Sequence, residues 1–185
     1  MSAAEFEQRY RHEGDPWGYR SSAYERAKYD ATLRACGPGP FASALELGGS
    51  IGVFSARLAR RCLALATVDF SPTAVRAARA QLAGYRQARP ILGEIPDAIP
   101  DGSYDLVVAS EVLYYLRPDA LAATLGRLEQ VLADGGRLVA VHWRRSGPER
   151  PYSAAEIHDQ LHALPWLHEV DAGSTFDYLL HAFER

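Results

Sequence analysis

The sequence predicts an α/β fold in which helices cover both faces of a mostly parallel, seven-stranded sheet. Short apolar segments alternate with amphipathic ones, the pattern of strands joined by crossover helices. The segment from Tyr104 to Ala109 is continuously apolar, as a strand buried on both faces of a parallel sheet must be. Two β-like segments near the end of the chain, at about 167–171 and 176–183, fit a closing antiparallel hairpin.

Two helices are predicted before the first strand, at about 5–11 and 22–36. Ser21 or Ser22 can cap the second helix, because a serine hydroxyl accepts a hydrogen bond from a backbone amide of the first turn. The run Gly-Pro-Gly-Pro at 37–40 ends it, since proline cannot continue a helix.

The rest of the chain alternates strands and helices. The strands are predicted at about 42–47, 64–69, 88–92, 104–109 and 137–142. The helices are predicted at about 53–61, 73–85, 118–132 and 153–164. Ser71 and Pro72 open the helix that follows the second strand. Asp134, Gly135 and Gly136 are predicted to form the turn before the last parallel strand.

Length and composition predict one domain overall, with an N-terminal helical arm or lid, residues 1–40, on a core, residues 41–185. The net charge is −3 among 20 basic and 23 acidic residues, so the basic field needed to bind nucleic acid is missing. No apolar run approaches the roughly 18 residues of a membrane span. Two cysteines without metal-ligand spacing, and a polar N-terminus, favour a cytoplasmic protein with no metal site.

A glycine-rich turn after the first strand is the strongest functional signal. Gly48, Gly49, Ser50 and Gly52 follow an acid at the strand end, Glu46. A dinucleotide site has the pattern G-x-G-x-x-G and holds a pyrophosphate, which an adjacent carboxylate would repel. The acid suits a cation with an ammonium group, so S-adenosylmethionine (SAM) is favoured over NAD. In the competing interpretation, Glu46 only accepts hydrogen bonds from nearby backbone amides.

The second strand ends on another candidate cofactor residue. Asp69 lies 21 residues after Gly48, near the roughly 20-residue spacing that places a carboxylate on ribose hydroxyls. Phe70 would lie against one adenine face, the amide of Ile95 would meet a ring nitrogen, and Glu94 would meet the exocyclic amine. The alternatives are a helix cap for Asp69, core packing for Phe70 and a solvated loop for the other two.

Three segments resemble class I SAM-dependent methyltransferases, and more narrowly the NodS-type N-methyltransferases of nodulation-factor synthesis. The class resemblance covers roughly residues 42–185. The matching segments are Asp-Pro-Trp at 15–17 with Tyr-Glu-Arg-Ala-Lys-Tyr at 24–29, Ser-Glu-Val-Leu-Tyr-Tyr-Leu at 110–116, and Leu-Glu-Leu-Gly at 45–48 with Gly-Val-Phe at 52–54. Ser50 departs from the glycine of many methyltransferases. We expect cofactor binding to survive, on the assumption that only the flanking glycines need bare backbone.

The resemblance implies N-methylation of an amine on a small molecule, such as an amino sugar or a natural-product intermediate. The nearest alternative is an O-methyltransferase acting on a small hydroxylated compound. A non-catalytic SAM-binding protein is a second alternative, and an NAD-dependent dehydrogenase is a distant third. The sequence does not indicate the oligomeric state.

The candidate acceptor residues follow the fourth and fifth strands. Ser110 is assigned to the cofactor side, and Glu111 is the best-placed carboxylate to hold or deprotonate an amine, unless an arginine occupies it. One of Tyr114 and Tyr115 is expected to line the site while the other packs. His142 could accept a proton near neutral pH, or could simply be hydrogen-bonded.

The N-terminal arm supplies three further candidates. Trp17 could fold over the cofactor as part of a lid that excludes water, or could anchor the arm. Arg26 could pair with the SAM carboxylate, although arginines on helices are usually solvated. Tyr29 lies on the same predicted lid helix and is assigned to the cofactor site.

Overall fold

The computed structural model describes residues 3–145, 147 and 150–185. The first two residues of the predicted arm, and residues 146, 148 and 149 of the predicted 144–152 loop, lie outside the described residues. The helices are α1 (Ala3–Glu13), α2 (Ala23–Ala35), α3 (Val53–Leu58), α4 (Pro72–Gln81), α5 (Pro118–Val131) and α6 (Ala154–His162). The strands are β1 (Ala44–Leu47), β2 (Leu65–Asp69), β3 (Ala88–Leu92), β4 (Tyr104–Ser110), β5 (Leu132–Trp143), β6 (His168–Ala172) and β7 (Tyr178–Glu184).

The seven strands form one sheet in the order β3-β2-β1-β4-β5-β7-β6. Strands β1 to β5 pair in parallel, whereas β7 is antiparallel to both β5 and β6. The predicted mostly parallel sheet and its closing antiparallel hairpin are thus confirmed. The strand order reverses between β1 and β4, and in open α/β sheets this reversal opens a crevice at the carboxyl ends of the strands.

Helices cover both faces of the sheet, as predicted. One core layer packs α5 and α6, through residues such as Leu128 and Leu161, onto the sheet side chains that include Leu45 and Leu47. The other layer packs α2 and α3, through Tyr29 and Leu58 among others, onto the opposite face. All four residues of β1 are buried. The central strand therefore fixes where the glycine turn emerges.

Helix caps in the structure match the sequence signals. The Ser22 hydroxyl accepts from the Glu25 amide at the start of α2, and the Ser71 hydroxyl accepts from the Ala74 amide at the start of α4. Ser153 and Glu156 form a reciprocal capping box at α6. These bonds satisfy amides that have no partner within the helix.

Several boundaries differ from the sequence prediction; the helix predicted at 73–85, for example, ends as α4 at Gln81. The last parallel strand begins at Leu132 and includes the glycines that were predicted to form a turn. Gly135 has φ +72° there, and the β4–β5 register shifts between Tyr104 and Leu106, so the glycines form an irregularity within the strand. The helix predicted to reach Arg61 ends as α3 at Leu58, and a 3-10 turn over Ala59–Arg61 completes it.

Among the described residues, no helix is long and apolar enough to cross a membrane. Cys36 and Cys62 are both buried and unpaired with each other, which agrees with the expected free thiols.

Candidate functional site

A cavity of about 1090 Å³ opens at the carboxyl ends of β1, β2 and β4, beneath α1 and α2. Eleven of the seventeen site residues expected from the sequence line it. They are Trp17, Gly48, Ser50, Asp69, Phe70, Glu94, Ile95, Ser110, Glu111, Tyr114 and Tyr115. The six that do not are Arg26, Tyr29, Glu46, Gly49, Gly52 and His142.

The glycine turn is a strained loop whose glycines serve different needs. Gly48 and Gly52 have φ of +73° and +80°, which disfavours any residue with a side chain. Gly49 is needed for space, because an added Cβ would lie 1.8 Å from Thr67 Oγ1. Ser50 also has a positive φ of 49°. Ser50 thus adopts the left-handed backbone that favours glycine while carrying a side chain, and the expectation that it leaves cofactor binding intact stays a prediction.

Asp69 is held by the two loops that meet at the cavity. Its Oδ2 accepts from the Ser50 amide at 2.8 Å, and its Oδ1 accepts from the Ser71 amide at 2.9 Å. Burial raises the pKa of Asp69 to about 6, although these amide bonds lower it. Each oxygen keeps acceptor capacity beyond its amide bond, so the carboxylate is fixed in position and can still accept from hydroxyl groups.

Glu46 lies beneath the glycine turn, where it is buried. Its Oε2 accepts from the Ser55 hydroxyl at 2.5 Å, and an added Cβ on Gly49 would be 3.5 Å from the same oxygen. Burial raises the pKa of Glu46 to about 7, against hydrogen bonds from Ser55 and Thr67 that lower it. The carboxylate thus supports the turn from below, and its predicted contact with the cofactor stays a prediction.

Aromatic residues of the N-terminal arm form a cluster at the end of the cavity that contains Asp69 and Phe70. Trp17 packs against Phe6, Tyr10 and Tyr19, with ring centroids 5.8, 5.4 and 5.7 Å apart. Phe6 also meets the Phe70 ring edge-on at 5.7 Å. Phe6, Tyr10 and Tyr19 line the cavity as well, and the sequence analysis had not selected them. Their aromatic character on either side of Trp17 is the signal that could have found them.

Helix α1 of the N-terminal arm is tied to the core by polar contacts. The Tyr10 and Ser50 hydroxyls lie 2.7 Å apart. Glu7 accepts from the Ser71 and Thr73 hydroxyls at 2.6 and 2.7 Å, at the N-terminus of α4. Burial raises the pKa of Glu7, but hydrogen bonds from Ser71, Thr73 and Arg11 outweigh it and lower the pKa to about 2. The Ser71 amide also donates to Asp69, so Ser71 connects Glu7 on α1 directly to the Asp69 carboxylate.

Two predicted cofactor residues on α2 face elsewhere. Arg26 is exposed, and its Nη1 donates to the Ser21 carbonyl at 2.7 Å. Tyr29 is buried against Phe54, with ring centroids 5.3 Å apart. The helix presents Glu25 and Lys28 to the cavity instead.

Glu111 anchors the opposite end of the cavity. It has φ +56°, a rare conformation for a residue with a side chain, directly after β4. Its Oε1 accepts from Lys28 Nζ at 2.9 Å, and its Oε2 accepts from the Trp143 amide at 3.0 Å and from the Tyr114 hydroxyl. The ion-pair partner is thus a lysine on the lid side and not the arginine that the sequence analysis considered.

Lys28 joins two carboxylates and was missed by the sequence analysis. Its Nζ also contacts Glu25 at 3.1 Å, and both residues are buried. Burial would lower the pKa of Lys28, but the charges of Glu111 and Glu25 outweigh it and raise the pKa. Burial raises the pKa of Glu25. An i, i+3 pair of opposite charges in the 24–29 segment was the available signal.

Both adjacent tyrosines line the cavity. Tyr114 is buried, and Tyr115 meets it edge-on with centroids 4.7 Å apart. Tyr115 also contacts Phe6 on the lid at 5.0 Å. Tyr114 belongs to the hydrophobic core, so the packing role expected of one tyrosine falls to Tyr114, although both residues line the cavity.

His142 is fully buried next to the cavity wall and does not line the cavity. Its Nδ1 lies 3.1 Å from His158 Nε2, and its ring is 4.9 Å from the Tyr114 ring. Burial, with smaller contributions from the charges of Lys28 and Arg150, lowers the pKa of His142 to about 3. A ring with such a low pKa is a poor proton acceptor at neutral pH.

The sheet order, with β7 antiparallel to β5, and the glycine turn beside Asp69 define the class I methyltransferase fold. The chain belongs to the NodS family, because the family profile described as Nodulation protein S (NodS) matches residues 3–146. Nodulation protein S of Rhizobium tropici is 32% identical over 127 residues, which cover 68% of this chain and 53% of that protein.

Two solved structures extend the comparison. The N-methyltransferase NodS from Bradyrhizobium japonicum WM9, in complex with S-adenosyl-L-homocysteine (SAH), superposes with a TM-score of 0.87 at 25% identity. That match covers 98% of this chain and 97% of the other. A putative methyltransferase from Pseudomonas syringae has 33% identity and a TM-score of 0.78, over 89% of this chain and all of that one. The matched region spans little more than half the length of the curated relatives, 53% to 61% for three nodulation proteins.

Proposed function

We propose that this protein is a SAM-dependent methyltransferase that N-methylates an amine of a small molecule. One observation carries the proposal. A single cavity joins a nucleoside-type end, formed by Gly48 and Asp69, to an end formed by Glu111 and Tyr114. Two reactants that share one cavity can be held close and aligned, which is the main catalytic contribution expected for methyl transfer.

The residues at the cofactor end fit SAM. When bound, the cofactor supplies a sulfonium methyl group for transfer to a nucleophile. Asp69 would accept from the ribose hydroxyls, because its two oxygens are oriented by backbone amides and keep acceptor capacity. Phe70 and Ile95 offer apolar surface for the adenine, and Trp17 covers the site from the lid. The N-methyltransferase from B. japonicum was solved with SAH, which supports the same assignment here.

Glu111 would handle the acceptor amine. An amine attacks the methyl group through its lone pair, so it must be neutral when it reacts, and the methylated nitrogen carries a positive charge until it loses a proton. The Glu111 carboxylate is fixed by Lys28, Tyr114 and the Trp143 amide. It can accept a hydrogen bond from an amine N–H and stabilise the charge that develops on nitrogen.

The environment of His142 favours nitrogen over oxygen as the methyl acceptor. An aliphatic hydroxyl group needs a base to remove its proton during attack. His142, the candidate base, is buried behind Tyr114, and burial lowers its pKa to about 3. The acceptor class, an amino sugar or another natural-product intermediate, and a cytoplasmic location remain predictions from the sequence.

Methyl transfer from isotopically labelled SAM to pools of small amines, and to matched pools of alcohols, tests the proposal. We expect SAH release and label transfer with an amine pool. Glu111→Gln should lower kcat by about 30-fold, near 2 kcal/mol, while SAH binding changes less than threefold. Glu129→Gln, an exposed acid on α5, is the matched control.

SAH binding without any amine-dependent turnover would contradict the assignment as an N-methyltransferase. Turnover with alcohols alone would favour the O-methyltransferase alternative. Absence of SAM and SAH binding in the wild-type protein would overturn the whole proposal.

A further inference from the structure

A chain of histidines runs from the wall of the cavity to the protein surface. Four of the six histidines take part. His142 Nδ1 lies 3.1 Å from His158 Nε2, and His158 Nδ1 lies 3.0 Å from His181 Nδ1. The ring of His181 then meets that of His162 with centroids 4.9 Å apart. At the outer end, His162 Nε2 contacts Glu169 Oε2.

The outer end of this chain brings together a set of metal-ligand groups. One ligand atom from each of His162, Glu169 and His181 lies within 4.8 Å of the others. They come from three different elements, α6, β6 and β7. Two imidazoles and a carboxylate form the protein ligand set of many zinc sites, in which water completes the coordination.

The two histidine rings are also oriented as metal ligands usually are. His162 Nδ1 lies 2.7 Å from the carbonyl oxygen of His158 and donates to it. This leaves Nε2, the atom in contact with Glu169, as the ring nitrogen that can bind a metal ion once it has lost its proton. The His181 ring is positioned through its Nδ1 contact with His158. Metal-binding histidines characteristically have their second ring nitrogen held by such an outer partner. His162 Nε2 and Glu169 Oε2 are in direct contact, so a bound ion would replace this contact and move the two atoms apart.

We propose that His162, Glu169 and His181 bind one divalent transition-metal ion of the Zn²⁺ type. Imidazole nitrogens select zinc, copper, nickel or cobalt over magnesium and calcium, which prefer oxygen ligands. The ion would connect α6 to the β6–β7 hairpin at the edge of the sheet. This site has no short sequence motif, because its three ligands are dispersed along the chain, and the expectation of no metal site did not consider them.

The simpler alternative is an ion pair between a protonated His162 and Glu169, with His181 as a neighbour. The two interpretations predict different behaviour toward added metal. An ion pair needs no metal and gives no stoichiometric binding. A metal site gives one bound ion per chain and depends on all three ligands.

Calorimetric titration of Zn²⁺ into the full chain distinguishes the two. The titration uses protein without a histidine tag that has first been treated with a chelator. It is carried out at about pH 8, where ordinary imidazole is neutral. We expect one ion per chain with a micromolar or lower Kd. His162→Gln, Glu169→Gln and His181→Gln should each weaken binding by at least about tenfold. Titration with Co²⁺ should give the visible absorption of a four-coordinate nitrogen and oxygen site.

His168→Gln is the matched control. His168 is exposed and directly precedes Glu169 on β6, so its side chain points to the other face of the strand. Its variant should bind Zn²⁺ as the wild type does. Zn²⁺ should raise the Tm of the wild type and of His168→Gln but not of Glu169→Gln.

His181 is half-buried, and His181→Gln could fail to fold. Glu169 is exposed, so Glu169→Gln should stay folded and by itself tests whether the metal ion binds at this site. Absence of stoichiometric binding in the wild type would overturn the proposal. Binding that survives in all three ligand variants, or that is lost in His168→Gln, would also overturn it. None of these outcomes depends on methyl transfer.

Discussion

The two ends of the cavity are built in different ways. The cofactor end is formed by residues at the ends of neighbouring strands. The turn from Gly48 to Gly52 directly follows β1, and Asp69 is the last residue of β2. Backbone amides hold the Asp69 carboxylate. The acceptor end uses side chains from distant elements, with Lys28 on α2 paired to Glu111 after β4.

Substitutions at the two ends should therefore affect different measurable properties. At the cofactor end, glycine geometry and amide hydrogen bonds set the structure, so a substitution should act mainly on cofactor binding. At the acceptor end, the Lys28 ammonium compensates the carboxylates of buried Glu25 and half-buried Glu111. Removal of the ammonium leaves two carboxylates without a counter-charge, so they bear the desolvation penalty of burial. Substitutions there should act on stability and turnover.

The largest effect is expected for Asp69→Ala. The variant loses the acceptor for the ribose hydroxyls and also releases the Ser50 and Ser71 amides. We expect SAH binding by calorimetry to weaken about a thousandfold, near 4 kcal/mol. Asp159→Ala, an exposed acid on α6, should bind SAH normally. A loss of less than tenfold in Asp69→Ala would place the ribose elsewhere.

Lys28→Met tests the acceptor end. It leaves Glu25 and Glu111 without the ammonium that joins them. We expect the free energy of unfolding to fall by about 3 kcal/mol, measured by urea titration. Adding Glu25→Gln to Lys28→Met should recover part of this loss, since one uncompensated carboxylate is removed.

Arg26→Met, on the exposed side of the same helix, should change the stability little. If the free energy of unfolding fell equally in the Lys28 and Arg26 variants, the ion pair between Lys28 and Glu111 would not contribute specifically to stability.

Glu46→Gln tests the support beneath the turn through its pH dependence. Burial raises the pKa of Glu46 to about 7, above its ordinary value of 4.5. A raised folded-state pKa contributes stability that is fully present below about pH 4.5 and is lost as pH rises through 7. The variant has no such loss, so at about pH 8 it should be more stable than the wild type by about 1–3 kcal/mol.

Thermal unfolding from about pH 5 to 8 measures the Glu46 effect. The wild-type Tm should fall more steeply than that of Glu46→Gln, and Glu129→Gln should follow the wild type. Burial also raises the pKa of Asp69 to about 6. Titration of Asp69 should therefore lower the Tm of all three proteins to some extent as the pH rises. Parallel curves for wild type and Glu46→Gln would contradict the raised pKa.

The smallest effect is expected for Glu7→Gln. The substitution weakens the contacts of α1 with the Ser71 and Thr73 hydroxyls but leaves the aromatic cluster in place. We expect SAH to dissociate about fivefold faster in stopped-flow measurements, near 1 kcal/mol. Glu13→Gln, half-exposed on the same helix, should dissociate as the wild type does. An unchanged rate in Glu7→Gln would show that the aromatic cluster alone holds the lid.

Local signals determined the order of the elements and the cofactor end. The alternation of strands and helices, the capping serines at 22 and 71, and the glycine turn each depend on residues close together in the sequence. The distance from Gly48 to Asp69 is one crossover unit, so it also follows from the sequence. The assignments of Phe70 and Ile95 to the cavity were predictable for the same reason, since loops at the carboxyl edge of a parallel sheet converge there.

Only the tertiary structure decided how buried charges are paired. Lys28 and Glu111 lie 83 residues apart, and no local rule predicts that they meet. His142 looked available as a base, but its pKa depends on burial behind Tyr114, which periodicity does not reveal. Likewise, His162, Glu169 and His181 converge through the packing of α6 on the hairpin. Sequence determines conformation where the interacting groups are neighbours, whereas the pairing and pKa of distant buried groups depend on which elements the folded core brings together.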